Sequence, residues 1–460
     1  MMTLGYGLGS LGLGSTYYFM SAYFVVFLTN CVGLNPATAT SISALALMVE
    51  VVYGMAVGSF SDVCTSKMGR RKPFLCVSAA AMLPIIILVT RTIDAPVFVK
   101  ICYYLTFAVL FRVFFSNYEI PYNALGAEIV TDYDKRTRLR TISRLFSIAG
   151  NAVGYIMPLV ILDLFSGNEK GGWQAMGIIL GIICAISWTG NILLVKESQI
   201  KDSTTKTKNI FKHIASSYYE LMHLKAMKLL VLYKAAFSCA FALNNVGTIY
   251  FLQYNLGLDN RYSSYIYVFT IVIFITATPL VDKMAMVRNK AWQQMVTMAL
   301  CGVSGILIFF LASGSVVWCA VYVGLLAFVT TGFWQLSSSI FYDIVEVDEF
   351  VNGKRREGDI TSLVSVLGTL ITAAMVQLFG IFFEISGFNP SLSIQPESVL
   401  SFLNASFILM PALCLIIGAV VLKLFPINRE NFAALRTAIE LKKNDEDYSM
   451  YEEKIEMIIR

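Results

Sequence analysis

The sequence predicts an all-α integral membrane protein of about twelve transmembrane helices in two pseudo-symmetric six-helix bundles. Three observations predict it. The 460 residues are 57% hydrophobic and only 14% charged, with a mean hydropathy of +0.68, more apolar side chain than soluble domains of this length can hide. The charges sit in short segments between apolar runs, and twelve of those runs are long enough to cross a hydrocarbon core of about 30 Å. The segments between runs are alternately rich and poor in lysine and arginine.

In chain order the spans are expected at about residues 8–30, 37–60, 74–91, 98–127, 141–163, 174–195, 229–254, 263–281, 292–312, 316–341, 360–384 and 399–425. Basic loops stay cytoplasmic, so they set orientation. The 2–3 loop holds Lys67, Arg70, Arg71 and Lys72, and the 4–5 loop holds Lys135, Arg136, Arg138 and Arg140. The segment after span 6 holds Lys196, Lys201, Lys206, Lys208, Lys212, Lys225 and Lys228. The 8–9 loop adds Lys283, Arg288 and Lys290, and the 10–11 loop Lys354, Arg355 and Arg356; the opposite side has Arg91, Lys100, Lys170 and Arg261. Both termini are therefore expected in the cytoplasm of a multi-pass protein of the cell membrane.

The polar stretch 196–228 reads as a cytoplasmic linker between an N-terminal bundle over 1–195 and a C-terminal bundle over 229–427. The halves echo each other. Asp62 before one basic cluster recurs as Asp282 before another, an offset of 220 (282 minus 62), and Glu128-Ile129-Val130 recurs as Asp343-Ile344-Val345, an offset of 215 (343 minus 128). Near-equal offsets point to duplicated six-helix units. The tail over 428–460 opens on Asn428, a helix cap, and puts Phe432, Leu435 and Ile439 on one face. It is expected to lie as a helix against the membrane or the bundle, with a partly frayed tail as the alternative.

Several function classes are excluded. Nine cysteines show no paired spacing, and the two histidines, His213 and His223, lie ten residues apart in the linker, so neither a disulfide framework nor a metal site is expected. A net charge of +5 without a long basic run offers no nucleic-acid surface. No Walker A motif is present. Gly7-Leu8-Gly9-Ser10-Leu11-Gly12 matches a dinucleotide fingerprint in letters, but no strand precedes it and it opens a span, where small residues let helices approach closely. The N-terminus has no basic region followed by a cleavage site, so the first span is expected to stay. The chain is not expected to be an enzyme or to carry a cofactor.

Ionisable groups inside a span are costly, so each is a candidate for function. Glu50 lies mid-span 2, Arg112 and Glu119 in span 4, Arg144 in span 5 and Lys234 just inside span 7. Arg112 and Glu119 are about 10 Å apart along their helix, too far to pair directly. Glu119 and Arg144 lie at similar depth on consecutive antiparallel spans and are expected to face each other across a cavity; a pair that only fixes packing is the alternative. Arg144, Ser147, Asn151 and Tyr155 form one polar stripe. Lys234 is expected to snorkel to the interface. Tyr17, Tyr18, Tyr122 and Trp334 are candidates to stack on a sugar ring, against packing as the plainer role.

These segments resemble the glycoside-pentoside-hexuronide:cation symporters of the major facilitator superfamily. The likeness rests on Gly58-x-x-x-Asp62 through Lys67-x-Gly69-Arg70-Arg71-Lys72-Pro73, on Glu119-Ile120-Pro121-Tyr122-Asn123-Ala124-Leu125 with Asp132, Arg136 and Arg144, and on Phe333-Trp334 through Asp343-Ile344-Val345 to Gly353-Lys354-Arg355-Arg356-Glu357-Gly358. It covers nearly the whole chain in order. The resemblance implies Glu119 as an acid contacting sugar and cation, Arg144 as a sugar-binding arginine, Trp334 as an aromatic near the sugar, and Glu50 as one of two span 2 acids in a cation site. Gly54 stands where the second acid is, Leu13 and Gly14 stand where the family has a lysine-aspartate pair, and an uncharged residue near Thr369 stands where it has a lysine. With fewer oxygen ligands for Na+, these departures favour a proton.

The expected function is therefore cation-coupled symport, H+ rather than Na+, of a glycoside or related small polar solute by alternating access in the lipid bilayer, by a monomer. Solute would meet Glu119, Arg144, Trp334, Asn123, Tyr122 and Asn151, coupling would fall to Glu50 and Glu119, and Asp62, Arg70, Arg71, Asp343, Arg355 and Arg356 would form a cytoplasmic gate. An amphiphile such as a lysophospholipid is an alternative solute, and a non-transporting receptor or scaffold is an alternative of another class.

Overall fold

The computed structural model describes residues 2–64, 66–129, 133–197, 210–312, 314–353, 356–392, 394–444 and 446–459. Among the described residues the chain is helical throughout its ordered elements. The first span is α1 (Met2–Ala22) and α2 (Phe24–Cys31), which meet at 44°. There follow α3 (Pro36–Val63), α4 (Lys72–Val89), α5 (Val97–Glu128), α6 (Tyr133–Leu164), α7 (Glu169–Leu194) and the short α8 (Ile210–Leu221). Then come α9 (Lys225–Asn255), α10 (Asn260–Val287), α11 (Lys290–Ala312), α12 (Val316–Asn352) and α13 (Glu357–Ile385), with α14 (Glu397–Lys423) last among the spans. The tail forms α15 (Arg429–Lys443) and α16 (Glu452–Ile459).

Eleven of these helices are long and apolar enough to cross a membrane, and the bent pair α1 and α2 makes twelve, as the apolar runs predict. Ends differ where charge ends the apolar run but not the helix. Span 10, expected to stop near 341, continues to Asn352, so Asp343 and Asp348 are helical. The helix of span 5 starts at Tyr133, ahead of its apolar run, and the span itself is Leu139–Leu164, close to the expected start near 141.

The contacts divide the chain into two compact units. One comprises Met1–Thr205, Leu243–Ile271 and Ala373–Phe407; the other comprises Lys206–Ala242, Val272–Thr372 and Ile408–Arg460. In the first unit α1 runs against α6 through small residues. A Cβ at Gly150 would overlap the Leu11 carbonyl oxygen, and one at Gly154 would come within 2.6 Å of that of Ser15, so only glycine permits the approach. Gly7 and Gly12 of the fingerprint-like string meet Phe146 and Trp188, which is helix packing and not nucleotide binding. Trp188 in turn stacks on Tyr118 at 3.8 Å.

In the second unit α11 packs between α12 and α14, where a Cβ at Gly302 would sit 2.8 Å from the Ala412 carbonyl oxygen. The tail belongs to this unit and lies on the bundle. Asn428 caps α15 by accepting from the amides of Glu430 and Asn431, each at 2.9 Å. Leu435 and Ile439 are buried, and Lys442 Nζ donates to the Phe350 carbonyl at 2.9 Å.

Candidate functional site

Glu50 sits in the middle of α3 and Arg112 in the middle of α5. Their side chains pair, Arg112 Nη1 donating to Glu50 Oε2 at 3.2 Å, with exposures of 4% and 15%. Glu119, two turns along α5 from Arg112, lies in the field of both, and Tyr17 of α1 lies in the field of all three. One carboxylate thus pairs with the guanidinium, and the second stands two turns away in its field. Among the described residues Glu119 and Arg144 form no ion pair, so the expected facing pair is replaced by Arg112 with Glu50. The reason is geometric: α3 packs on α5 and brings Glu50 to the arginine, a contact that spacing along one chain segment does not reveal.

Arg144 of α6 instead faces Tyr18 of α1. The Tyr18 ring lies 4.4 Å from that of Tyr155, whose hydroxyl donates to Asn245 Oδ1 at 2.8 Å. Asn151 is turned toward α1, where a Cβ at Gly14 would approach its Oδ1 to 2.6 Å and the Ser147 carbonyl to 2.9 Å. The absent acid at Gly14 follows: backbone occupies its place. At Gly54 a Cβ would come to 3.1 Å from both Ser116 Oγ and Ile120 Cδ1, so a second span 2 acid requires those neighbours to give way.

Tyr122 is 2% exposed. Its hydroxyl donates to the Tyr6 carbonyl at 2.7 Å and meets Ser10 Oγ at 2.7 Å, and its ring stacks on Tyr6 at 4.4 Å, so it serves the α1–α5 contact. Asn123 is exposed. In the second unit Lys234 does not snorkel. Its ammonium lies over Phe333 at 4.5 Å and Trp334 at 5.2 Å, a cation–π arrangement, and its stem fills the space left by Gly368, where a Cβ would be 2.6 Å away. Trp334 keeps 41% of its surface exposed.

Of the gate residues, the Asp62 side chain and Arg355 lie outside the described residues. Arg71 donates from Nη1 to Ser61 Oγ at 2.5 Å. The amides of Arg70, Arg71 and Lys72, opening α4, donate to the Glu197 carboxylate at 2.7, 3.0 and 3.1 Å, an anion at a helix N-terminus. Asp343 pairs with Lys290 at 2.9 Å. Arg356 pairs with Asp348 at 2.6 Å and Glu220 at 2.7 Å, and the hydrogen bonds from Asp348 push its guanidinium above the usual range. Glu197, Glu220 and Asp348 were not legible as partners, since each lies far along the chain or on a helix face read as loop.

A family model described as MFS/sugar transport protein matches residues 5–429. The chain is 23% identical to the uncharacterized symporter sll1374 of Synechocystis sp. over 96% of this chain and 97% of that one. It is 24% identical to the lactose permease of Leuconostoc lactis, over 82% of this chain and 61% of that one. A crystal structure of a D-xylose-proton symporter superposes with a TM-score of 0.65 at 16% identity, over 91% of this chain and 96% of that one.

Proposed function

The chain belongs to the MFS/sugar transport protein family, and on that premise we propose that this secondary transporter couples entry of a small glycoside-type solute to a proton. One observation carries the coupling: Glu50 pairs with the guanidinium of Arg112 at 3.2 Å, and Glu119, two turns along the same helix as Arg112, lies in the field of both. With both acids ionised the cluster carries one uncompensated negative charge inside the membrane, which a proton on either acid removes. A hard cation such as Na+ wants about six oxygen ligands. Two carboxylates with an arginine already on one of them, and Gly54 packed where a third would be, form a poor cage.

The solute is proposed to meet Arg144, Asn151 and Trp334, with a glycoside favoured by the kind of relatives the chain has. Arg144 donates to hydroxyls in a fixed fork geometry, and Trp334 offers an apolar face. Entry by alternating access, cytoplasmic termini, a plasma-membrane location and a monomeric protein complete the proposal. It is tested in liposomes holding the purified protein, with a panel of glycosides, pentosides, uronates and lysolipids and a reading of solute-induced proton or sodium flux. A sugar-dependent proton signal that disappears in Glu119→Gln and in Arg144→Ala is the expected result. A signal that follows Na+ and persists in Glu119→Gln rejects it.

A further inference from the structure

One cavity of the first compact unit is separate from the Glu50 cluster. It encloses about 310 Å³, at the lower end of small-molecule pockets. It lies beside the ends of α2, α9 and the starts of α7 and α10, hence at the end of the spans opposite the basic loops. Asn30, Glu169, Trp173, Gln253, Tyr254 and Asn260 line it.

Two of its walls are built by the same device, repeated. Residues 27–34 read Phe-Leu-Thr-Asn-Cys-Val-Gly-Leu and residues 251–258 read Phe-Leu-Gln-Tyr-Asn-Leu-Gly-Leu, an offset of 224 (251 minus 27). Phe27–Cys31 and Phe251–Asn255 are both π-helical turns. Each is followed by a left-handed glycine, Gly33 at φ 77° and Gly257 at φ 61°. Each closes on the same bond, Leu34 N to Leu28 O and Leu258 N to Leu252 O, both at 2.9 Å. Such turns are rare and recur at functional sites. Here the first aims Asn30, and the second Gln253 and Tyr254, at the cavity, while Thr29 and Tyr250 hydroxyls join the two turns at 2.6 Å.

The lining chemistry selects a ligand class. Gln253 donates Nε2 to Asn260 Oδ1 at 3.2 Å, which leaves Gln253 Oε1 as an acceptor and Asn260 Nδ2 as a donor. Glu169 adds a carboxylate acceptor and the half-buried Tyr254 an aromatic face. No lysine, arginine or histidine is among the lining residues, whose one charged side chain is Glu169, so the lining offers an anionic solute no opposite charge. We propose that this cavity binds a neutral glycoside, as a capture site distinct from the Glu50 cluster; the inference rests on the sugar-transport reading.

The test uses full-length protein in nanodiscs carrying Arg144→Ala, so that binding is read without transport. Methyl glycosides of hexoses and pentoses are titrated while Trp173 emission is followed as the difference from the same protein with Trp173→Phe. The expected result is a saturable change, with affinity lowered about fivefold or more by Gln253→Leu and by Asn260→Leu, and a weaker response to the matching glucuronide. The site is overturned by the absence of any Trp173-dependent change, by an affinity that neither leucine variant lowers, or by tighter binding of the glucuronide. A retained signal in Arg144→Ala, with no uptake by the unsubstituted protein, supports the site and counts against the transport reading alone.

Discussion

Arg112 and Glu50 pair at 3.2 Å, with side-chain exposures of 4% and 15%. Such pairs are weak sources of stability, yet breaking one strands a charge, so Arg112→Met is expected to cost about 3–5 kcal/mol in thermal or denaturant unfolding in detergent. Adding Glu50→Met should recover most of that loss while abolishing proton-coupled uptake. Equal destabilisation in the single and double variants would show that Glu50 does not depend on Arg112. At the protein's tail the ranking of effects reverses with exposure. Lys454 pairs with Glu430 at 2.6 Å, but at exposures of 46% and 75%, so Lys454→Ala should leave stability nearly unchanged. Ile458 on the same helix is fully buried, and Ile458→Ala should cost about 2–5 kcal/mol. The comparison, read by hydrogen exchange of α15 and α16, shows which force docks the tail.

Among the elements, α1 and α6 approach so closely that glycine is required at Gly150 and Gly154. The Gly7 to Gly12 string signalled close packing at α1, and its α6 partners stood beside the polar stripe as the pair Gly150-x-x-x-Gly154. The two π-turns were missed altogether, although their signal stood in the sequence as Phe-Leu followed by Gly-Leu at equal spacing near both Asn30 and Tyr254. Gly33 and Gly257 have left-handed φ values, and no heavy atom lies within 4 Å of where an alanine methyl would sit. Alanine there meets no clash and only backbone strain, so Gly33→Ala and Gly257→Ala should each cost about 1–2 kcal/mol. Asparagine, which tolerates that region better, should cost less. A melting temperature unmoved by either alanine would mean that the turn does not hold its conformation in the membrane.

For the whole molecule, symport predicts a bulk measurement. Collapsing the proton gradient with an uncoupler should reduce solute accumulation in proteoliposomes to equilibration while downhill exchange continues; accumulation that survives uncoupling but needs Na+ would reassign the ion. The order of amino acids was enough to establish the membrane fold, the number of spans, the family and the membrane-embedded charges. Each rests on apolar run length, loop charge or motif, quantities local to the chain. It also marked Glu50, Arg112, Glu119 and Arg144 as residues that need an explanation, because a charge in hydrocarbon is costly wherever it points. Which charge meets which was set by the packing of distant segments. Glu50 reaches Arg112 because α3 lies along α5, Lys234 rests on Phe333 and Trp334 because Gly368 leaves room for its stem, and Tyr122 turns into a helix contact because Tyr6 and Ser10 take its hydroxyl. Helical periodicity fixes the face a side chain occupies, and only the packing of one helix on another fixes what that face meets.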